Sequence, residues 1–405
     1  MPRKCALILA ISLSLLIAAC RPRPAANVER RVEGGVETVI NHVTDEGARA
    51  LRPPRLEELL VIDTESADIV RLGLTDIWGF DVDSSGRIFV FKSPLGQGDL
   101  VYKFDPSGRF LSSFCRKGEG PGELQAPIFQ KLTAKGELDI PDAGKKKMFV
   151  FDGDGKLLRE IPIKPYLRQV SDLLVPLDDA RFFYRRVEAD TTRSAPRFTY
   201  IFSIVDASLS EIKELDRMTV ENADAVAKIR IPPTFIRWAL CRDRLLLLND
   251  ERGYEIRSYD FGGNLVRRMR REGPAVPYPA SMKQEVLKAI EAPMFASIKG
   301  KIQFADPAPP SQHFWADDQG GLYVMTYEPG AGPGEFMIDI FDPSGAFSGR
   351  WSLNLRAGMR LFEQYMCLDS WTTLRNDRFY CLREKDNGYI QLVAYRVHPA
   401  KGSHS

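Results

Sequence analysis

The sequence repeats one hairpin phrase along most of its length, and this repeat constrains the fold more than any other feature. In each copy an apolar run ends in a tight turn rich in Asp, Gly or Asn, and a second β-rich run follows. These residues suit tight turns because they adopt left-handed backbone or bond their own backbone. A repeat of this scale predicts an array of similar small sheets. The clearest copies lie at 80–91, 101–114, 148–161, 255–269 and 338–351.

The hairpins pair into four-stranded antiparallel blades, and their turns predict six of them. Inner turns lie near 83–86, 134–136, 177–179, 242–243, 317–320 and 376–377, and outer turns near 105–108, 152–155, 206–208, 260–263 and 342–345. The last blade ends at 390–397 without a fourth strand, which the run at 56–63 could supply. Such a closure leaves no free edge between the first and last blades. We therefore predict an all-β fold, a six-bladed β-propeller over residues 55–399 whose last blade is closed by an N-terminal strand.

One segment carries a family resemblance. Residues 117–161 resemble an NHL-type repeat, with a GxGPGEL phrase, a turn, a short strand ending in Asp and an FVFDxxGK hairpin in that order. Residues 330–336 (GAGPGEF) repeat the phrase, whereas three lysines at 145–147 stand where the family usually has Asn-His-Arg. The region 56–398 resembles the bacterial six-bladed β-propeller proteins, many of which are lipoproteins. The resemblance implies the fold and leaves the function open.

The N-terminus has the pattern of an export signal. A basic start, an apolar stretch and small residues predict a signal peptide over residues 1–20. Residues 17–20 (Ile-Ala-Ala-Cys) resemble a bacterial lipobox, in which Cys20 becomes the lipidated first residue and anchors the protein to a membrane. A plain cleaved signal is the alternative. By analogy with enteric bacteria, Arg21 after the cysteine favours the outer membrane, with the protein facing the periplasm or the cell surface.

The segments flanking the propeller lack a sustained period. Residues 21–54 are polar, charged and dotted with proline, so we expect a flexible tether. Residues 400–405 are expected to be a disordered tail. An insertion at about 275–305 carries apolar residues at helical spacing, which predicts a short helix over 281–291.

Charge and cysteine content exclude some classes of protein. The formal net charge is +2, and without residues 1–20, which hold Arg3 and Lys4, 54 bases balance 54 acids. A neutral chain has no electrostatic footprint for nucleic acid. We expect buried, unpaired thiols at the four cysteines of the folded part: Cys115, Cys241, Cys367 and Cys381.

Loop lengths distinguish the two faces of the predicted propeller. The turns between strands one and two and between strands three and four are short, whereas the other connections are long and emerge on the opposite face. Long loops on a rigid scaffold are where binding usually occurs. We therefore expect a loop-rich face that binds and a tight-turn face that is inert.

Several side chains near the starts of the inner strands are predicted to line the loop-rich mouth of the channel. Aromatic and polar groups at such a mouth suit a small ligand or a peptide. The alternatives are packing between blades for the tryptophans and a structural salt bridge for the arginines. The candidate ligand-binding residues are Trp78, Gln130, Arg168, Arg237, Trp238, His313, Asp369 and Trp371.

Catalytic and metal chemistry finds little support. The sequence has four histidines, and His313 is the one placed in the predicted mouth, which argues against zinc and against a Ser-His-Asp triad. No cofactor is predicted. Calcium is left open because carboxylates from different blades could converge in the mouth, with five candidates by position: Asp76, Asp142, Asp250, Glu335 and Asp369.

Two basic runs, at 145–147 and 267–271, could contact an anionic glycan or lipid head group. We favour a solvated loop for the first and a charge-protected outer edge for the second. The sequence thus indicates a membrane-anchored cell-envelope binding module that presents its loop-rich face to a protein, peptide or glycan partner. The alternative is a propeller hydrolase or lyase that uses a carboxylate-bound divalent metal in the channel mouth.

Overall fold

A computed structural model describes most of the chain. The described residues are 26–44, 49–127, 130–133, 135–163, 173–192, 197–221, 229–292, 296, 299–354 and 372–398. The predicted signal peptide with Cys20 and the predicted tail at 400–405 lie outside them, as does Cys367. No helix among these residues is long and apolar enough to cross a membrane.

Three strands and a short helix precede the first blade. They are β1 (Ala26–Glu33), β2 (Val36–Val43), β3 (Arg55–Asp63) and α1 (Ala67–Leu72). Blade 1 contains β4 (Gly79–Val82), β5 (Ile88–Phe91), β6 (Asp99–Phe104) and β7 (Phe110–Arg116). Blade 2 contains β8 (Lys131–Leu132), β9 (Leu138–Asp142), β10 (Lys147–Phe151) and β11 (Leu157–Pro162). Blade 3 contains β12 (Leu173–Pro176), β13 (Arg181–Asp190), β14 (Arg197–Asp206) and β15 (Glu211–Glu221).

The second half follows the same plan with one insertion. After β16 (Ile229–Ile231), blade 4 contains β17 (Ile236–Cys241), β18 (Arg244–Asn249), a 3-10 turn (Asp250–Arg252), β19 (Glu255–Asp260) and β20 (Leu265–Glu272). The insertion holds α2 (Ala280–Ala289) and β21 (Ile302–Phe304), which pairs with β16. Blade 5 contains β22 (His313–Ala316), β23 (Leu322–Pro329), β24 (Phe336–Phe341) and β25 (Phe347–Leu353). Blade 6 contains β26 (Thr372–Arg375), β27 (Arg378–Glu384) and β28 (Ile390–His398).

The sheets confirm the predicted all-β six-bladed propeller. β3 pairs antiparallel with β28 and is the fourth strand of blade 6, as predicted. Contacts between innermost strands join blade 4 to blade 5, blade 5 to blade 6, blade 6 to blade 1, blade 1 to blade 2 and blade 2 to blade 3. Apolar clusters fill the spaces between neighbouring blades. In the cluster between blades 6 and 1, Leu60 and Ile62 of the closing strand pack with Phe80 and Tyr102.

The turns explain why the sequence repeats. In each outer turn an aspartate accepts hydrogen bonds from the backbone N–H groups two and four residues later, which fixes the reversal of the chain. Asp260 and Asp342 do the same in blades 4 and 5. The repeated hairpin phrase therefore specifies the local geometry of the turns, and its aspartates are used in these turns rather than for binding a ligand.

The expectation of a flexible tether over 21–54 is wrong for its described core. Residues 26–43 form the hairpin β1–β2, which turns at Gly34 and Gly35, both with positive φ. β2 pairs in parallel with β20 and extends the sheet of blade 4 to six strands. Alternating β-branched residues around a Gly-Gly pair are a hairpin signal, and the charged composition of the segment obscured it.

The hairpin also corrects the interpretation of the basic run at 267–271. Arg267 forms an ion pair with Glu37 at 2.7 Å, and Arg270 forms one with Glu33 at 3.1 Å. This run is therefore not the predicted charge-protected outer edge, because β2 pairs with β20 and covers it. Arg271 pairs instead with Asp339 of blade 5, at 3.2 Å. The lysines at 145–147 are also engaged, since the Lys145 Nζ donates to the Glu123 carbonyl at 2.6 Å.

The insertion and the described cysteines match their predictions. The helix α2 lies within the predicted insertion, and its Met282 and Val286 pack in a cluster with Tyr327 of blade 5. The three described cysteines are buried free thiols: Cys115, Cys241 and Cys381. Burial raises the pKa of the Cys381 thiol to about 12, so it stays protonated at neutral pH.

Asn41 joins the hairpin to two blades. Its side-chain amide is fully buried and donates to the carbonyls of Arg270 at 3.1 Å and Gly345 at 3.0 Å, and its oxygen accepts the N–H of Phe347 at 2.8 Å. We expect Asn41→Ala to lower the free energy of unfolding by about 2–4 kcal/mol, because it leaves buried backbone groups unsatisfied. Urea denaturation measures this.

The matched control is Asn27→Ala, at an exposed position of the same hairpin, which should change stability by less than about 0.5 kcal/mol. Equal stability of the two variants would contradict the role given to Asn41.

Candidate functional site

Trp238 and Gln130 are buried and do not project into the predicted mouth as exposed side chains. Trp238 is 9% exposed and packs against Phe183 of blade 3, with ring centroids 5.3 Å apart. Gln130 is also buried. Trp238 therefore serves the packing between blades, which was the alternative for the tryptophans. Three other candidates, Arg168, Asp369 and Trp371, lie outside the described residues.

Arg237 forms a structural bridge between blades 4 and 5. Its Nη1 donates to Asp250 at 2.5 Å, and its Nε donates to the carbonyl of Gln312 at 2.9 Å. Asp250 also accepts the N–H of Phe235 at 2.9 Å. Both charged side chains are almost fully buried, and the bond from Arg237 to Gln312 joins the inner strand of blade 4 to the segment before the inner strand of blade 5. The prediction of a ligand contact at Arg237 is corrected to a salt bridge.

His313 is a buried structural residue. Its ring packs edge-on against Trp315 at 4.7 Å between centroids, and the Trp315 Nε1 donates to Thr372 of blade 6 at 2.9 Å. Burial, aided by the nearby Arg237 charge, lowers the pKa of His313 to about 3. The imidazole is thus neutral at physiological pH and closed to solvent, so it cannot act as a surface acid or base.

The carboxylates considered for calcium hold backbone groups of the loops. Asp76 accepts the N–H of Ser93 at 2.7 Å, and Asp142 accepts the N–H of Gln125 at 2.6 Å. Within the described parts of the chain, no three His, Cys, Asp or Glu side chains gather into a metal site. These acids organise the loop-rich face.

The two GPGE phrases fold alike. Glu123 turns back so that its Oε2 accepts the N–H of Gly120 at 2.8 Å, and Glu335 accepts the N–H of Gly332 at 3.2 Å. A Cβ at Gly118 would lie 2.1 Å from the Glu123 carboxylate, which explains the first glycine of that phrase. The phrases are thus self-capped loops, as their proline content indicates.

The loop-rich face of blades 6 and 1 exposes large apolar side chains. Leu95 is 85% exposed, Trp78 is 43% exposed, and Val70 of α1 and Tyr389 are about half exposed. We refer to Val70, Trp78, Leu95 and Tyr389 as the apolar loop residues. Of these four residues, only Trp78 is among the ligand-binding residues predicted from the sequence. Leu95 had a signal, because it is an aliphatic residue in a loop (SPLGQG) with no strand period.

Polar contacts fasten these loops to one another. The Lys92 Nζ donates to the carbonyls of Gly73 and Gln97, both at 2.7 Å, and so connects the segment before β4 to the loop between β5 and β6. Lys385 donates to Glu65 at 2.5 Å, which connects the loop that carries Tyr389 to the segment before α1. The apolar loop residues therefore project from a cross-linked platform.

The tight-turn face is not featureless. A cavity of about 820 Å³ opens there between blades 5 and 6, lined in part by the inner turns at 317–319 and 375–378. This face was predicted to carry only tight turns without a binding function, but it contains a cavity.

Comparisons with known proteins find one family model and several similar solved structures. A family model described as a 6-bladed beta-propeller (DUF5128) matches residues 81–226. A presumed exported protein from Bacteroides fragilis is 12% identical, covering 89% of this chain and 99% of that chain with a TM-score of 0.48. A DUF4221 member from Bacteroides vulgatus is 12% identical, covering 86% and 99%, also with a TM-score of 0.48.

Streptogramin B lyase is 11% identical, covering 87% of this chain and 100% of its own, with a TM-score of 0.37. No curated protein matches the sequence. The family model supports the six-bladed propeller, and the NHL-type resemblance stays a prediction.

The buried His313 makes stability depend on acid. Because its pKa is about 3 in the folded chain and about 6.5 when unfolded, the unfolded chain binds the proton first as the pH falls. We expect the free energy of unfolding to fall by about 2 kcal/mol between pH 6.5 and about pH 5 through this group. A His313→Phe variant should lose that part of the slope in urea titrations across this range.

Asn27→Ala, at an exposed position without an ionisable side chain, serves as the control and should keep the wild-type slope. An unchanged slope in His313→Phe would show that the ring is not buried in neutral form.

Proposed function

We propose that this protein is a membrane-anchored envelope module that binds a protein or peptide through the loop-rich face of blades 6 and 1. The observation that carries the proposal is the exposure of Val70, Trp78, Leu95 and Tyr389 on loops tied into one platform. Exposed apolar groups rimmed by polar residues mark interaction sites. The rigidity of the platform lowers the entropic cost of binding.

A protein or peptide fits this surface better than a glycan. Burying Trp78 and Leu95 against a partner would contribute about 1.5–3 kcal/mol each, and aromatic anchors dominate protein interfaces. Leu95 and Val70 offer no polar atoms in their side chains to hydroxyl groups, and burying a hydroxyl without a hydrogen bond costs free energy. The partner therefore presents apolar side chains.

The envelope location rests on the sequence of residues 1–20, with lipidated Cys20 as the anchor. Because β1 begins at Ala26, only residues 21–25 separate it from the anchor. Such a segment spans at most about 20 Å. The reach of this segment is thus far shorter than that of the predicted 34-residue tether at 21–54. The outer edge of blade 4 would therefore stay near the bilayer.

This anchoring orients the proposed binding surface. In a ring of six blades, blade 4 lies across from blade 1, so the apolar loop residues are distant from the strand that follows the anchor. The edge strand β1 exposes Val28 and Val32, whereas its Arg30 and Arg31 are ion-paired within the hairpin. The protein therefore presents blades 6 and 1 to partners away from its own membrane.

The binding surface is tested by placing a photo-cross-linking residue, p-benzoylphenylalanine, at Leu95 in cells that make the full chain. We expect a discrete cross-linked product whose yield falls about tenfold or more when Trp78→Ala is added, since loss of an anchor of this kind costs over 1 kcal/mol. Mass spectrometry of the product identifies the partner.

The matched control carries the same residue at Leu158, an exposed position on the outer strand of blade 2, and should give no product. Equal labelling at both positions, or none at Leu95, would rule out the proposed surface.

A further inference from the structure

The cavity on the tight-turn face is a site that the proposed function does not use. It has a volume of about 820 Å³ and extends from the inner turns of blades 5 and 6 into the wedge between the two blades. The apolar loop residues lie on the opposite face of the propeller. A ligand of this cavity would therefore leave the proposed partner surface free.

Two blades supply apolar walls that face each other. On blade 5, Trp351 and Tyr323 stack with ring centroids 5.6 Å apart and an interplanar angle of 30°, and this aromatic pair lines the cavity. On blade 6, Leu374, Phe379 and Val397 form the facing wall. Pockets of about 300–1,000 Å³ with mostly apolar linings are typical of small-molecule sites.

A strap of residues 49–56 lies across the outer side of this wedge. The Leu51 N–H donates to the carbonyl of Arg350 at 2.7 Å, and Leu51, Pro54 and Leu56 line the cavity. The strap is seated closely, because a Cβ at Gly349 would lie 2.5 Å from the Leu51 side chain. The cavity thus has a third apolar wall and remains open toward the turns.

The carboxylates of the blade 5 turn are already satisfied. Asp318 forms an ion pair with Arg375 at 2.7 Å and accepts the N–H of Asn376 at 2.8 Å. Asp317 accepts the Tyr323 O–H at 3.1 Å and the N–H of Gly321 at 2.7 Å. A cationic ligand would therefore have to break these pairs, while Arg378 and Arg396 also line the cavity. An uncharged body suits the apolar walls, because burying a charge against them is costly.

We propose that this cavity binds a small uncharged ring compound. Its flat apolar body would lie between the Trp351–Tyr323 wall and the Leu374–Phe379 wall, since aromatic rings favour offset stacking. Its polar end would point to the turns, where the amides of Gln319 and Asn376 are exposed. The aromatic pair favours a ring over a flexible acyl chain.

The test uses 5-fluoroindole, a neutral aromatic probe, with the purified full chain and fluorine NMR of the probe. We expect saturable binding that broadens the fluorine line. Ser348→Trp places a large side chain at the exposed rim of the cavity, and Trp351→Leu removes one ring of the aromatic pair. Trp351→Leu should weaken binding by about two- to tenfold, the effect of losing one aromatic contact, and Ser348→Trp should weaken it further by blocking the rim.

The matched control is Ala207→Trp in the exposed outer turn of blade 3, which should bind as the wild type does. Circular dichroism and urea denaturation show whether each variant is folded. Two different variants of the cavity are used, so that the test still works if one of them does not fold.

Absence of saturable binding by the wild type would overturn the proposal, as would equal weakening by Ala207→Trp. Saturable binding of decanol without binding of 5-fluoroindole would overturn the ring assignment. Ser348→Trp should leave cross-linking at Leu95 unchanged. The proposal for this cavity and the proposal for the partner surface are therefore tested independently.

Discussion

The pairing of β3 with β28 is the interaction on which the rest of the propeller depends. It joins a strand near the beginning of the described chain to the strand near its end, from the pair Arg55 and His398 to the pair Asp63 and Gln391. Without it, blade 6 would have three strands, and the face of blade 1 that receives Leu60 and Ile62 would lie open. The closure fixes the segment before β4 against the loops of blade 6, which is what brings the apolar loop residues onto one platform.

The hairpin β1–β2 acts as a second fastening. It adds two strands to blade 4 and reaches blade 5 through Asn41. It also neutralises arginines that would otherwise crowd the outer strand. These charged side chains therefore form structural ion pairs, as the buried Arg350–Asp339 pair of blade 5 also illustrates. That use of charge leaves apolar loop side chains as the most prominent feature of the loop-rich face.

The sequence was sufficient to predict features that are encoded locally. The aspartate turns, the blade count and the closing strand all follow from short-range patterns that the structure confirms. The hairpin at 26–43 was missed because composition outweighed an alternating pattern around Gly34. The burial of Trp238 and His313 and the exposure of Leu95 depend on how blades pack, and no single strand records that packing. The wedge cavity arises between two blades and a strap, so it too has no local signature.

The proposed anchor and the proposed partner surface lie on different parts of the ring. A short segment after Cys20 would hold the outer edge of blade 4 near the bilayer, while the apolar loop residues lie across the ring on blades 6 and 1. The most direct test is energy transfer from a dye placed at Val32 or at Leu95 to acceptor-labelled lipids in vesicles that carry the lipidated chain. Strong transfer from Val32 with weak transfer from Leu95 is the predicted result. Equal transfer from both positions, or stronger transfer from Leu95, would contradict the presentation of this face away from the membrane.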